Sequence, residues 1–497
     1  MKRAASLGAP PSSCGNRAGR GAPASCRVAR VGALRASGDG RTRTAALPGL
    51  LRCALLLVTL GAHLALATDV RELGAVGDGR ADDTAAIQKA ADAGGAIHFP
   101  GGTYRLTQTI VVTLDAAGFT SLIGDGTARI VMAGAGPAFR LVGTHGGTAD
   151  PKSLKPEVTA RQRMPMVDGL EIVGAHAEAD GVEATGTLQL TLTRTRFNGL
   201  RHGLHLTGRN RNLLVSECHF YHQTGIGIFY DAVNLHQSNI TGCHISYCAG
   251  GGVVSRGGEV RNLHISGSDI ESCMTPDAPE TANVLLDSRG GSIAEVAITG
   301  CTIQHNSLSP GSANIRVLGP GADWIAGGRE RKRPQWGHIT ITGNVLSDVR
   351  VNIHLRQARG VVISGNTFWE GFDRDLLVEE CRNVVVGANN FERNPGYELW
   401  QKERPKQGVL FRGCDDCTLT GLHLLGVREH PAAIVIEDSR RMHLADCTVL
   451  DSDHAGLLLK DVRASWVHGC FLRDDRAEKP AFEPIVETGG GGNRVDR

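Results

Sequence analysis

The sequence predicts an all-β solenoid, a right-handed single-stranded parallel β-helix with a short capping helix near its N-terminal end. Three observations carry this. First, a short phrase recurs between Thr195 and Cys470. It reads VSECHF at 215–220, ITGCHI at 240–245, ISGSDI at 265–270, ITGCTI at 298–303, ITGNVL at 341–346, ISGNTF at 363–368, VGANNF at 386–391, LTGLHL at 419–424, LADCTV at 444–449 and VHGCFL at 467–472. Most steps are 22–25 residues, interrupted by longer ones of 33, 43 and 33. A fixed period in this range marks a solenoid built from one supersecondary unit per repeat.

Second, each unit holds two or three apolar-x-apolar runs separated by Gly, Asn, Asp or Arg. Their period and β-branched content make them short strands. Third, the fourth position of the phrase is mostly small: Cys218, Cys243, Ser268, Cys301, Asn344, Asn366, Asn389, Leu422, Cys447 and Cys470. Coils stack about 4.8 Å apart. An asparagine column in a turn lets each amide donate to one coil and accept from the next. Leucine-rich repeats have similar periods, but their leucine spacing and helical segment are missing.

Residues 1–46 are rich in Arg, Gly, Ala and Ser without an apolar period. They are expected to be a disordered basic extension, or to follow from a start assigned too early. Residues 47–67 read as a secretory signal, with an apolar core at 53–61 and Ala65-Leu66-Ala67 before the cut. That core is short for a stable membrane span; an uncleaved anchor is the alternative. A secreted or periplasmic protein is therefore expected. Ten Lys/Arg and one acid precede residue 68, so 43 Lys/Arg and 50 Asp/Glu follow. A mildly acidic chain excludes a nucleic-acid binder, which needs a basic working face.

Ten of the 13 cysteines follow residue 67. A disulfide framework is usual for an exported chain, but here most lie in or beside the repeated phrase and read as buried thiols. Cys218/Cys243 and Cys447/Cys470 are close enough to oxidise. Cys414-Asp-Asp-Cys417 lacks a second Cys or His pair, so no metal site is expected.

Residues 70–106 predict a strand to Gly74, a turn at Gly77-Asp78-Gly79, and a helix capped by Asp82 or Asp83 and running to about Ala93. Gly94-Gly95 stops it, and a strand at Ile97-His98-Phe99 ends at Pro100. Gly74-Ala75, Gly77-Asp78-Gly79, Asp82-Asp83-Thr84, Ala90, Phe99-Pro100-Gly101 with Tyr104, and the run from Leu122 to Thr127 resemble the opening motif of the pectate-lyase-3 superfamily. That superfamily includes rhamnogalacturonase-like and glycoside hydrolase family 28-related β-helix proteins and phage tailspikes. The resemblance covers residues 70–135. It implies the pectin-lyase-like solenoid and, more loosely, polysaccharide chemistry. In that family the paired aspartates are structural, and the helix closes the open end of the solenoid, where an exposed edge would template pairing. The hydrolase series Asn-Thr-Asp, Asp-Asp, Gly-His-Gly and the Asp-Pro-His-Glu of alginate epimerases are absent, so the resemblance assigns no catalytic set.

A single β-helix domain is expected over 68–473, with cap and first coils over 68–135, a polar loop at 144–167 and repeats over 195–473. A loose tail follows at 474–497.

One strand per coil aligns so that its outward positions form a column: Thr207, Asp231, Arg256, Asp287, Leu318, Arg356, Glu379, Arg412, Glu437 and Lys460. The neighbouring column adds His205, Phe229, Arg316 and His354. Insertions at 274–282, 318–336 and 394–407 would wall this face into a groove. Trp324, Trp336, Tyr397 and Trp400 would stack on sugar rings there. Arg329, Arg331, Lys332 and Arg333 would meet uronate carboxylates, and Arg316, His354, Arg356, Glu379 and Arg412 are further substrate-binding candidates.

Asp231 and Asp287 lie two coils apart, about 9–10 Å between backbones. Inverting glycosidases hold acid and base about 6.5–9.5 Å apart, and Arg256 between them would keep one carboxylate ionised. A lyase or epimerase version uses Arg256, Arg356 or His354 to abstract the proton beside a uronate, with Asp/Glu holding Ca²⁺ or the substrate. In the plainer reading, alternating charges pair across coils. His219, Tyr221 and His222 read as surface residues. Two function classes follow: an exported hydrolase or lyase acting on an acidic polysaccharide, or a non-catalytic glycan-binding or surface scaffold.

Overall fold

The computed structural model describes residues 67–147, 149–276, 280–306, 309–320, 336–398, 403–478 and 481–496. The basic extension and nearly all of the signal segment lie outside them. Among the described residues, 41 strands join into one continuous sheet. Its pairings run parallel, coil to coil. The expected parallel β-helix is the observed fold.

Each coil contributes to three faces. Sheet I contains Leu204–Leu206, Ile226–Asp231, Ala313–Leu318, Val349–Arg356 and Gly371–Glu379. Sheet II contains Arg209–Ser216, Asn234–Thr241 and Gly337–Thr342. Sheet III contains His219–Tyr221, His244–Ser246 and Asp269–Glu271. The long strands Gly251–Ser266 and Val284–Thr299 bend from sheet I into sheet II. Period-2 alternation sends one side-chain set into a shared apolar core. Equivalent positions stack there: Phe197 on Phe220, and Phe368 on Phe391, each with ring centroids 4.6 Å apart.

The N-terminal cap follows the expected plan with one difference. A two-residue strand, Thr68–Asp69, gives way to a 3₁₀ turn at Val70–Leu73, because the Asp69 carboxylate accepts from the Arg71 amide. Helix α1, Thr84–Ala93, buries Ile87, Ala90 and Ala91. Asp82 accepts from the Thr84 amide at 3.1 Å and from the Thr107 hydroxyl at 2.6 Å. Asp83 is buried and holds the preceding turn through the amides of Val76 (2.6 Å) and Gly77 (3.3 Å). Both aspartates are spent on structure. Gly77 has φ +69°, and a Cβ there would stand 2.9 Å from the Tyr104 ring.

The asparagine column forms the expected ladder. Asn344 Nδ2 donates to Asn366 Oδ1, and Asn366 Nδ2 to Asn389 Oδ1, each at 3.0 Å. A second, unforeseen ladder enters sheet I. Asn283 donates to Asn314 and Asn314 to Asn352, each at 2.8 Å, and Asn352 donates to buried Asp375 at 2.9 Å. The ten described cysteines are all free, and nine are buried. Several donate to the carbonyl two residues earlier, as Cys243 does to Thr241 at 3.4 Å.

The loop at 144–167 contains a 3₁₀ turn, Pro151–Ser153, and helix α2, Pro156–Arg161. Each starts on proline, which suits a first helical position. The C-terminal segment is not a loose tail. Glu483–Thr488 pairs with Ala455–Lys460, and Arg494–Val495 pairs with Trp466–His468. The exposed edge of the last coil supplies unpaired backbone groups that this segment takes up.

Candidate functional site

The charged column forms in the expected register. Asp231 pairs with Arg256 and Arg256 with Asp287. Leu318, Arg356, Glu379, Arg412, Glu437 and Lys460 follow in the same line. What the register brings together differs along its length.

Asp231 and Asp287 do not form an open acid–base pair. Asp287 is 2% exposed. Arg289 takes both of its oxygens, Nε to Oδ1 at 2.9 Å and Nη2 to Oδ2 at 2.7 Å, and the Arg289 amide adds a bond at 3.0 Å. Those bonds raise Arg289 above its usual range. Arg256 stands farther off, with its Nε 3.9 Å from Asp287. Asp231 is about half exposed and meets His205 Nε2 at 3.0 Å. The sequence pattern missed the clamp because Arg289 lies just past the aligned run.

The open groove is also corrected. Outward Val254, Leu285 and Leu318 are buried in a second apolar cluster with Ile226, Phe229, Ala282 and Ala313. Outward apolar residues gain by leaving water, and on this stretch of sheet I they are buried together rather than exposed to a groove. Farther along, Arg412 Nη1 bonds Glu379 at 3.3 Å, and its Nε bonds Glu437. That is the plain cross-coil pairing.

Between these stretches lies a recess of about 170 Å³ lined by Glu280, Arg316, Leu318, His354 and Arg356. Arg316 is 5% exposed. It donates through Nη1 to the Thr281 carbonyl at 2.9 Å, through Nη2 to the Gly311 carbonyl, and through Nε to His354 Nδ1 at 3.2 Å. Burial lowers Arg316 to about 10. An Nδ1 that accepts leaves the proton on Nε2, which donates to Glu379 at 3.1 Å. Burial, followed by the Arg316 charge, lowers His354 and keeps it neutral. The Arg356 side chain has no hydrogen bond or ion pair among the described residues. Two guanidinium groups therefore share the recess with one exposed carboxylate, Glu280.

Of the expected aromatic walls, Trp336 donates to the Gln357 carbonyl at 3.3 Å, and Arg359 lies over its ring. Tyr397 is 51% exposed and stands 4.4 Å from Trp369 between ring centroids. Gln357 follows sheet I and Trp369 precedes it, so the two aromatics stand at opposite edges of that sheet. Trp324, Trp400, Arg329, Arg331, Lys332 and Arg333 lie outside the described residues.

Three family models match. Residues 67–164 match "Rhamnogalacturonase A/epimerase, pectate lyase-like", residues 167–308 match "Right handed beta helix region", and residues 331–474 match "Periplasmic copper-binding protein (NosD)". No curated relative matches. Among solved structures, gene product 12 of bacteriophage phi29 is 13% identical over 90% of this chain, with a TM-score of 0.54. This chain spans 59% of that one. The A-module of mannuronan C-5 epimerase AlgE6 from Azotobacter vinelandii is 15% identical over 86% of this chain and 99% of its own, with a TM-score of 0.40. The tailspike of E. coli bacteriophage HK620, solved with a pentasaccharide, is 11% identical over 86% of this chain and 80% of its own, with a TM-score of 0.44.

The fold is a right-handed parallel β-helix. Its N-terminal residues 67–164 are similar to the pectate lyase-like model, and residues 167–308 to the right-handed β-helix model. Among the described residues, no group of three His, Cys, Asp or Glu side chains is placed to hold a metal ion. No helix among them is long and apolar enough to cross a membrane.

Proposed function

We propose that this is an exported protein that binds an acidic polysaccharide along sheet I and acts on it at the recess of Arg316, His354 and Arg356. Arg356 carries the reading. Its guanidinium, without a partner among the described residues, stands beside a buried second arginine over the apolar floor of Leu318. A guanidinium meets a carboxylate by two parallel hydrogen bonds, so the recess suits one uronate unit. The N-terminal family model, named for rhamnogalacturonase, epimerase and pectate lyase, supports the same substrate class.

Hydrolysis by Asp231 and Asp287 is set aside, because Asp287 is closed by Arg289. Proton abstraction beside the uronate carboxylate fits better. The arginines would stabilise the negative charge that develops on that group. Neutral His354 would take the C5 proton at Nδ1, releasing its 3.2 Å bond from Arg316; the electron pair left at C5 forms the C4–C5 double bond as the C4–O glycosidic bond breaks, and the leaving oxygen takes a proton from solvent. A non-catalytic glycan scaffold is the second reading, favoured by the paired Glu379–Arg412–Glu437 run. The test incubates the protein with polygalacturonate, alginate and hyaluronan, following binding and the absorbance of unsaturated uronate. Binding with unsaturated product supports the enzyme. Binding alone supports the scaffold, and neither overturns both.

A further inference from the structure

On sheet II each coil carries one residue in the left-handed backbone region. In five successive coils that residue is Met164, Gln189, Asn212, Gln237 and Asn262, with φ between 54° and 64°. A left-handed residue interrupts the in-out alternation of a strand. Its side chain and the outward one two positions on then face the same hollow. Gln189 with Thr191, Asn212 with Leu214, Gln237 with Asn239 and Asn262 with His264 all line one cavity of about 490 Å³. That volume is in the range of ligand pockets. Four coil steps of about 4.8 Å carry the hollow about 19 Å along the solenoid axis.

Its chemistry is unlike that of the sheet I recess, with which it shares no lining residue. No Lys, Arg, Asp or Glu lines it. Beyond it the same left-handed column takes up charge, first at Glu295 and later at Asp416 and Arg441. Asn262 is tied to Glu295 at 2.8 Å, and Asn212 accepts from Arg211 Nε at 3.2 Å. The side chains of Gln189, Gln237 and Asn239 make no hydrogen bond among the described residues. Apolar surface lies among these amides: Leu214 is 45% exposed and Met164 59%.

We infer that this hollow is a second binding site, non-catalytic, for a neutral oligosaccharide of about four units laid along the solenoid axis. A side-chain amide both donates and accepts, as does a sugar hydroxyl. Amides recur once per coil, a spacing close to the length of one pyranose unit. Leu214 and Met164 receive the C–H faces of the rings, which gain by leaving water. A uronate finds no cation here, so the hollow selects uncharged sugars. This site does not depend on the proposed chemistry at Arg316, His354 and Arg356.

The test titrates the protein with cellotetraose, xylotetraose, mannotetraose, galactotetraose and maltotetraose by calorimetry, at low and at high salt. At least one should bind with Kd below about 1 mM, equally at both salt concentrations, because no charge is neutralised. Gln237→Gly removes an amide and keeps the left-handed backbone; Asn239→Ala removes the outward amide beside it. Each should weaken binding roughly 3–10-fold without shifting the unfolding temperature by more than a few degrees. Tetragalacturonate should not displace the neutral sugar. If tetragalacturonate fails to bind at all, the sheet I proposal falls and this one stands. Three results would overturn the inference: no binding of any neutral tetrasaccharide, unchanged binding in both variants, or displacement by tetragalacturonate. Self-association of the protein that is lost in Gln237→Gly would give the hollow to a second copy of the chain instead.

Discussion

Arg289 closes Asp287: Nε and Nη2 reach the two carboxylate oxygens at 2.9 and 2.7 Å, and Asp287 is 2% exposed. The pair turns a candidate catalytic acid into a structural anchor. Removing the arginine leaves a buried charge without its main partner. Arg289→Ala should cost about 2–4 kcal/mol of stability, somewhat under the range for fully buried pairs because Arg289 is partly exposed. Asp287→Asn should cost less and leave glycan binding unchanged. Urea unfolding and a binding titration of both variants check this.

Asp375 ends the second asparagine ladder, and burial raises its carboxyl to about 7, against the lowering effect of its bond from Asn352. A carboxyl raised on folding favours the folded state while protonated. Its contribution is whole below pH 3.8 and is lost as pH rises through about 7. Each unit of the raised value is worth about 1.4 kcal/mol. Thermal unfolding of the wild type should therefore lose stability between pH 4 and 7 relative to Asp375→Asn, whose profile should be flatter. Parallel profiles would rule out the assignment.

The first ladder predicts a position-specific loss. Asn366 donates to Asn389 and to the Ile341 carbonyl, and its Oδ1 accepts from the Asn344 amide. Asn366→Ala leaves several buried groups unpaired, at about 1–3 kcal/mol for each. Asn366→Ser, with the residue type found at position 268, should recover part of the loss. Denaturant midpoints of the two variants compare them directly.

Arg356 supplies the charge test. Arg356→Ala should weaken polygalacturonate binding about tenfold or more, the cost of one charge-assisted contact. Arg356→Lys should recover only part of it, because an ammonium lacks the planar fork. Titration calorimetry at two salt concentrations measures both, and the loss should shrink at high salt.

Cys470 should be the first of the ten described thiols to react. It is partly exposed where the others are buried, and its bond with Cys447 lowers it to about 7. Brief iodoacetamide treatment at pH 8, read by mass spectrometry, should place the label on Cys470 ahead of the other nine.

The sequence by itself determined the solenoid, the cap, the asparagine ladder and the register of the charged column. Each follows from local periodicity, and in a coil stacked on its neighbour the local period is also the long-range contact map. The second ladder was legible in principle, since Asn283, Asn314 and Asn352 each head an aligned run. Only the tertiary structure decided what the column could do. Arg289 reaches Asp287 from beyond the aligned strand, and the outward Val254, Leu285 and Leu318 of sheet I are buried together rather than open to a groove. Arg316 and His354 are committed to one another across 38 residues of chain. Burial and partner choice depend on which coil lies above and below, and no window of sequence shorter than a coil contains that information.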